Sequence, residues 1–269
     1  MVCKAIGIFD SGVGGLTVLK EIMKLLPQED TIYLGDTARV PYGTKSPETV
    51  TRYSRQIASF LVSRDIKMLV VACNTASAIS LAALKKEFPI PVIGVIEPGA
   101  RRAAAVTYNG KVGVIGTEGT IKSSAYTKAI KQMNPEIEVV TGACPLFVSL
   151  AEEGWIDNEV ARLTAEFYLK GLKEKAVDTL VLGCTHYPIL KKIIAEVMGN
   201  DVTLVDSAEE TAFTVAEILK NESLLRPSSE KGNHHFFVTD IPAGFIKVGN
   251  RFFGEYFGDV YQIRLDEEI

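Results

Sequence analysis

Two cysteines in this chain occupy positions where a thiol can do chemistry. In VVACNTASA, from Val70, Cys73 ends an apolar run and is followed by Asn74 and Thr75. In LVLGCTHYP, from Leu180, Cys184 ends a similar run and is followed by Thr185 and His186. A free cysteine commonly packs as a small hydrophobe. One that follows a strand and opens a helix instead meets free backbone N–H groups and the positive end of the helix dipole. Both are expected to lower the thiol from its ordinary ~8.5 toward neutrality, where the reactive thiolate forms. His186 lies two residues beyond Cys184 and can poise it. Cys3 and Cys144 lack such polar neighbours and read as packed residues, and the absence of any C-x-x-C pair argues against a zinc site.

Other candidates cluster around strand ends. Phe9-Asp10-Ser11-Gly12-Val13-Gly14-Gly15 puts a carboxylate before a flexible loop whose backbone N–H groups can converge on an anion. It is not a dinucleotide fingerprint, because Thr17 stands where the third glycine belongs, and no G-K-[ST] follows for a P-loop. Pro41, Tyr42 and Gly43 form either a plain turn before a helix capped at Ser46 or part of a substrate pocket. Glu152 and Glu153 read from their own context as a solvated helix end, and His234 and His235 as part of a surface loop. No G-x-S-x-G elbow, H-E-x-x-H motif or strand-end lysine for a pyridoxal Schiff base is present, so catalysis from these parts would need no cofactor.

The elements that must position these residues follow from the hydrophobic pattern. Short apolar runs alternate with helical segments, the signature of an α/β fold with mainly parallel strands. Strands are expected at Ala5–Phe9, Thr31–Leu34, Met68–Ala72, Val92–Val95, Lys111–Ile115, Ile137–Thr141, Thr179–Leu182 and Thr203–Val205. Helices are expected at Leu16–Leu26, Ser46–Arg64, Ala76–Glu87, Pro98–Val106, Thr120–Met133, Asn158–Lys173, Pro188–Met198 and Ala208–Leu219. The segment 233–269 reads as strands and turns of unassigned order.

An internal repeat organises this pattern. IGIFDSGVGG from Ile6 resembles VGVIGTEGT from Val112, LGD at Leu34 corresponds to TGA at Thr141, and VVACNTASA corresponds to VLGCTHYPI. The anchors keep their order and nearly their spacing, which suggests two similar α/β halves with Cys73 and Cys184 as equivalents. Ligands bind at the carboxyl ends of strands in open α/β sheets, so facing halves would put one thiol on each wall of a cleft.

Composition narrows the class. The 269-residue chain is 47% hydrophobic and 23% charged with a net charge of −4, which offers no electrostatic case for nucleic acid or a membrane surface. No apolar run reaches the roughly 18 residues of a membrane span. The opening MVCKAIGIFD runs into a strand-like segment without the features of a secretory signal, so a cytoplasmic location is expected.

Taken in order, IGIFDSGVGGLTVLKEI, GDTARVPYG, VVACNTASA, IGVIEPG and LGCTHYP resemble the bacterial glutamate racemases of the aspartate/glutamate racemase family, over Ile6 to Asp206. The resemblance implies two α/β lobes related by pseudo-twofold symmetry, residues 1–97 with 207–269 and residues 98–206, with the active site in the cleft between them. It implies that Cys73 and Cys184 are the two catalytic thiols, assisted by Asp10 on one side and by His186 with Glu152 on the other; Glu153 is the alternative register. Asp10, Ser11, Pro41, Tyr42, Gly43, Asn74, Thr75, Thr185 and His186 would hold the substrate. The implied substrate is free glutamate, the implied use D-glutamate for peptidoglycan, with no cofactor, no metal, no nucleic-acid or membrane partner, and a homodimer as the assembly. Two-thiol racemases or isomerases of aspartate, hydantoins or maleate are the nearest alternatives. A two-lobed ligand-binding protein or a one-thiol cysteine hydrolase would leave the matched pair unexplained.

Overall fold

A computed structural model describes residues 4–253 and 258–265; Cys3 lies outside the described residues. In chain order the elements are β1 Ile6–Asp10, α1 Leu16–Leu25, β2 Thr31–Gly35, α2 Pro47–Val62, β3 Met68–Val71, α3 Asn74–Glu87, β4 Val92–Gly94 and α4 Ile96–Val106. There follow β5 Lys111–Gly116, α5 Glu118–Ser123, α6 Ala125–Met133, β6 Glu138–Ala143, α7 Leu146–Glu153, α8 Glu159–Glu174, β7 Thr179–Gly183, α9 Lys191–Met198, β8 Thr203–Asp206 and α10 Ser207–Asn221. The last are β9 His234–Val238, α11 Pro242–Phe253 and β10 Val260–Gln262.

Two parallel sheets form the frame. One has the order β10-β9-β2-β1-β3-β4 and the other β6-β5-β7-β8. Reading β1 to β4 against β5 to β8, the two orders coincide, and β9 and β10 extend the first sheet beyond β2. The repeat in the sequence is therefore a repeat in topology, and the expected two-lobed α/β architecture is the one present. All five residues of β1, β2 and β7 are buried, as parallel strands covered by helices on both faces require. Helix α1 buries Leu16, Val18, Leu19 and Ile22, one stripe at helical spacing. Helix α10 packs on both α1 and α4 and so ties the halves together. No helix among the described residues is long and apolar enough to cross a membrane.

Several elements differ from the sequence reading. The span expected as one helix from Thr120 to Met133 is two, broken at Ser124, whose φ of 57° lies in the left-handed region. The expected helix Pro188–Met198 begins as a 3₁₀ turn at Tyr187–Leu190. Of helix α7 only the end at Glu152 and Glu153 is anticipated, and the segment from 233, read as strands and turns, contains helix α11, whose apolar stripe buries Phe245, Gly249, Phe252 and Phe253. His234 and His235 lie in β9, paired with Thr31 and Ile32 of β2, and not in a surface loop. The His234 imidazole Nδ1 is 2.9 Å from Thr31 Oγ1, so that ring is tied into the sheet.

Candidate active site

Parallel strands bring their carboxyl ends to one edge, and the candidate residues gather there. Strand β1 ends on Asp10; β3 leads into Cys73, β5 into Thr117 and β7 into Cys184. Cys73 is itself the N-cap of α3, its sulfur accepting from the Ala76 N–H at 3.5 Å. The helix therefore starts at Asn74, two residues earlier than the sequence suggested. The thiol lies 3.7 Å from Ser11 Oγ. Cys184 is followed by the 3₁₀ turn rather than by an α-helix, and its sulfur lies 3.8 Å from His186 Nδ1. The two equivalent cysteines thus have different supports: a backbone N–H and a hydroxyl for one, an imidazole for the other.

Asp10 connects the two sides. Its Oδ2 accepts from the Gly12 N–H at 2.9 Å, and Thr185 Oγ1 lies 3.4 Å from its Oδ1 across the interface between the halves. His186 Nε2 is 2.9 Å from Glu152 Oε1, which fixes the register: Glu152, and not the exposed Glu153, meets the imidazole. Sequence context alone read Glu152 as a solvated helix end, because its partner arrives from a turn 34 residues away.

Asp10, Ser11, Asn74, Thr75, Thr185 and His186 are all buried at this edge. Tyr42 and Gly43 are buried in a 3₁₀ turn, Tyr42–Thr44, whereas Pro41 before it is exposed. The Tyr42 hydroxyl donates to Asp36, a buried carboxylate that also accepts from Arg39 Nε at 2.8 and 2.9 Å. Tyr42 is thus held by structure beneath the site. Gly43 approaches the second half closely, since a Cβ there would stand 2.7 Å from Thr117.

The electrostatics correct one expectation. The helix dipole was expected to lower the Cys73 thiol. Instead burial, and then the charge of Asp10, push it up to about 12, against hydrogen bonds from Ala76 and Ser11 that favour the thiolate. Charge on Cys184 raises it further, so the two sulfurs feel each other. Burial also raises the Asp10 carboxyl above the usual range, opposed by His186 and by the Gly12 and Gly15 N–H groups. For His186, burial works against a charged ring, but hydrogen bonds and charges from Cys184 and Glu152 outweigh it and lift the imidazole to about 10. Burial and Asp10 thus favour the neutral Cys73 thiol, while Glu152 and Cys184 favour the charged His186 ring.

Some contributors escaped the sequence reading. Thr75 Oγ1 lies 2.9 Å from Thr117 Oγ1 and 3.3 Å from Thr120 Oγ1, a hydroxyl cluster joining the halves. Thr117 was findable, since the repeat sets it against Ser11. Gly14 lies so close to the second half that a Cβ would sit 2.3 Å from Thr185 Oγ1. From α11, Phe252 packs edge-on against His186 with ring centroids 5.4 Å apart, and Arg251 Nη1 donates to the Glu152 carbonyl. Cys144 is fully buried, and its carbonyl accepts from Tyr187 Oη at 2.8 Å, in keeping with a packing role. Among the described residues no cluster of three or more His, Cys, Asp or Glu is arranged to hold a metal.

Known proteins resemble the chain over nearly its whole length. Residues 6–214 match the family model described as Asp/Glu/Hydantoin racemase. A glutamate racemase of Geobacter metallireducens is 76% identical over 265 residues, covering 98% of each chain. Among solved structures, a glutamate racemase isoform from Bacillus anthracis superposes with a TM-score of 0.94 at 43% identity, covering 97% of this chain and 98% of that one. The glutamate racemase of Francisella tularensis in complex with D-glutamate gives 0.93 at 40% identity, with 99% of each chain covered.

Proposed function

The chain belongs to the Asp/Glu/Hydantoin racemase family, an amino-acid racemase among the isomerases, and from that premise we propose that it interconverts L- and D-glutamate by two-thiol proton transfer. The observation that carries the mechanism is the pair of buried cysteines at equivalent strand ends of two topologically matching sheets. Racemisation removes the α-proton from one face and returns a proton to the other. Two acid/base groups on opposite walls accomplish this without turning the substrate over.

In one direction Cys184, as thiolate beside a protonated His186, takes the α-proton onto its sulfur. Cys73, held as the neutral thiol, delivers its proton to the opposite face. The α-carbon regains four bonds with inverted configuration, and the two sulfurs have exchanged protonation states. The reverse reaction starts from that exchanged state. Asp10 assists Cys73 and Glu152 steadies His186. Negative charge that builds on the α-carboxylate as the proton leaves is met by Asn74, Thr75, Thr185 and neighbouring backbone N–H groups. Ser11 and the Pro41-Tyr42-Gly43 turn bound the remainder of the substrate. Thr117 and Thr120 act by orienting Thr75. The mechanism calls on no cofactor.

We assign the lobes as residues 1–97 with 207–269 and residues 98–206, a cytoplasmic location, and production of D-glutamate for peptidoglycan. The working assembly is a homodimer, supported by Val160, Leu163 and Phe167, exposed apolar residues at helical spacing on α8. Incubation with L-glutamate in heavy water, without pyridoxal phosphate, tests the reading. Deuterium at Cα together with accumulating D-glutamate is expected, whereas retained α-protium and unchanged optical rotation would refute it.

A further inference from the structure

The geometry points to Tyr126 as a positioning residue that orients the Asn74 amide for the substrate; this inference rests on the racemase reading above. Tyr126 belongs to α6 in the second half and Asn74 to α3 in the first, yet the Tyr126 hydroxyl donates to Asn74 Oδ1 at 2.8 Å. Both residues are almost fully buried, at 2% exposure each. The other end of the same amide, Asn74 Nδ2, is buried and has no hydrogen-bond partner among the described residues. A buried amide nitrogen left in that state costs free energy unless function uses it.

The direction of the hydrogen bond follows from a simple inventory. A phenol has one hydrogen to give. The Asn74 Oδ1 atom can only accept, so the single Tyr126 hydrogen is the one directed to it. Ser207, the first residue of α10, and the Tyr126 hydroxyl both border Gly99. Burial raises the phenol well above its usual range, so that hydrogen stays in place at any working pH. The hydrogen bond from Tyr126 to Asn74 Oδ1 turns the two amide N–H groups away from the phenol, on the residue that directly follows Cys73 in the chain.

The ring is held as firmly as its hydroxyl. A Cβ on Gly183 would stand 3.1 Å from the Tyr126 ring, and one on Gly99 would stand 3.3 Å from it. Gly183 immediately precedes Cys184. Tyr126 therefore packs against the backbone that carries one thiol while it orients the side chain next to the other. Nothing in the local sequence AYTKAIKQM marks this role, because both partners are distant along the chain.

The test uses Tyr126→Phe, which removes one oxygen and keeps the ring, alone and combined with Asn74→Ala. Orientation of a donor that meets charge in the transition state is expected to act on kcat. Tyr126→Phe should lower kcat by about 10- to 100-fold, the loss associated with a hydrogen bond to a charged group, with KM changed less than about threefold. In the Asn74→Ala background the same substitution should change kcat less than about twofold, since no amide remains to orient. Wild-type kcat in Tyr126→Phe, or an equal loss in both backgrounds, would overturn the inference and leave a purely structural tyrosine. Should Tyr126→Phe fail to fold, Gly99→Ala, whose methyl would crowd the Tyr126 ring at 3.3 Å, carries the same cycle: a kcat loss that vanishes with Asn74→Ala supports the role, and an unchanged kcat or a loss equal in both backgrounds overturns it. Failure of the wild-type enzyme to racemise glutamate would be visible before any variant is made, and would remove the substrate reading together with this role.

Discussion

His186 and Glu152 form the pair on which one half of the site depends: Nε2 meets Oε1 at 2.9 Å, while Nδ1 of the same ring faces Cys184 Sγ at 3.8 Å. One imidazole thus spans a carboxylate and a thiol. That arrangement, rather than burial, raises His186 to about 10.

Removing the Glu152 charge should move the imidazole downward. Glu152→Gln keeps a hydrogen-bond acceptor and lacks the charge, so the imidazolium persists over a narrower range. The alkaline limb of the kcat/KM profile should shift to lower pH. The sign for stability is the same: a raised folded-state histidine stabilises fully below about 6.5, its unfolded value, and that contribution is lost as pH climbs through about 10. The melting temperature of Glu152→Gln should therefore fall less than that of wild type between pH 7 and pH 10. An alkaline limb that stays in place would remove Glu152 from this role.

Cys73 is raised as well, by a carboxylate on the other side of the site. Burial and the Asp10 charge both hold the proton on sulfur. Asp10→Asn in a Cys184→Ala background should lower the thiol and accelerate its alkylation by iodoacetamide at pH 9. A rate equal to that of Cys184→Ala alone would mean that Asp10 exerts no control over Cys73.

Gly14 gives a steric test. A methyl group there would lie 2.3 Å from Thr185 Oγ1 and 2.6 Å from His186 Nδ1. Gly14→Ala should reduce kcat/KM on the order of 100-fold, as small displacements of reacting groups do, with little change in far-ultraviolet circular dichroism. Wild-type turnover would show that this approach is not needed for catalysis.

Tyr42 gives a stability test. Its hydroxyl donates to fully buried Asp36, so Tyr42→Phe leaves that carboxylate one donor short. A loss of about 1–3 kcal/mol in urea denaturation is expected. No loss would mean that Arg39 and the Thr239 hydroxyl satisfy Asp36 without it.

Much of the frame was legible because fully buried parallel strands are continuous apolar runs; the eight expected strands are all present, with ends shifted by one or two residues. What escaped depended on geometry that local pattern does not carry. Helix α7 buries only Phe147, Leu150 and Ala151, and no side chain caps its start. Helix α3 is capped by a cysteine, a residue that propensity does not mark as a cap. The hydrophobic pattern on either side of Ser124 gave no sign of its left-handed break. The two thiols were legible through the repeat, and so was the correspondence of Thr117 with Ser11. The rise of Cys73 was not, because the dipole of α3 can be read from sequence whereas burial and the nearness of Asp10 come only with the fold. Tyr126, reaching Asn74 from the other half, belongs to the same class.

The most direct test of the two-thiol mechanism is racemisation of L-glutamate in heavy water by Cys73→Ala and Cys184→Ala, each alone, beside the wild-type enzyme. Wild type should form D-glutamate carrying deuterium at Cα, and each variant should lose racemisation while retaining its fold. Racemisation at the wild-type rate by either single variant would contradict the mechanism, because one wall of the site would then suffice for both faces of the α-carbon.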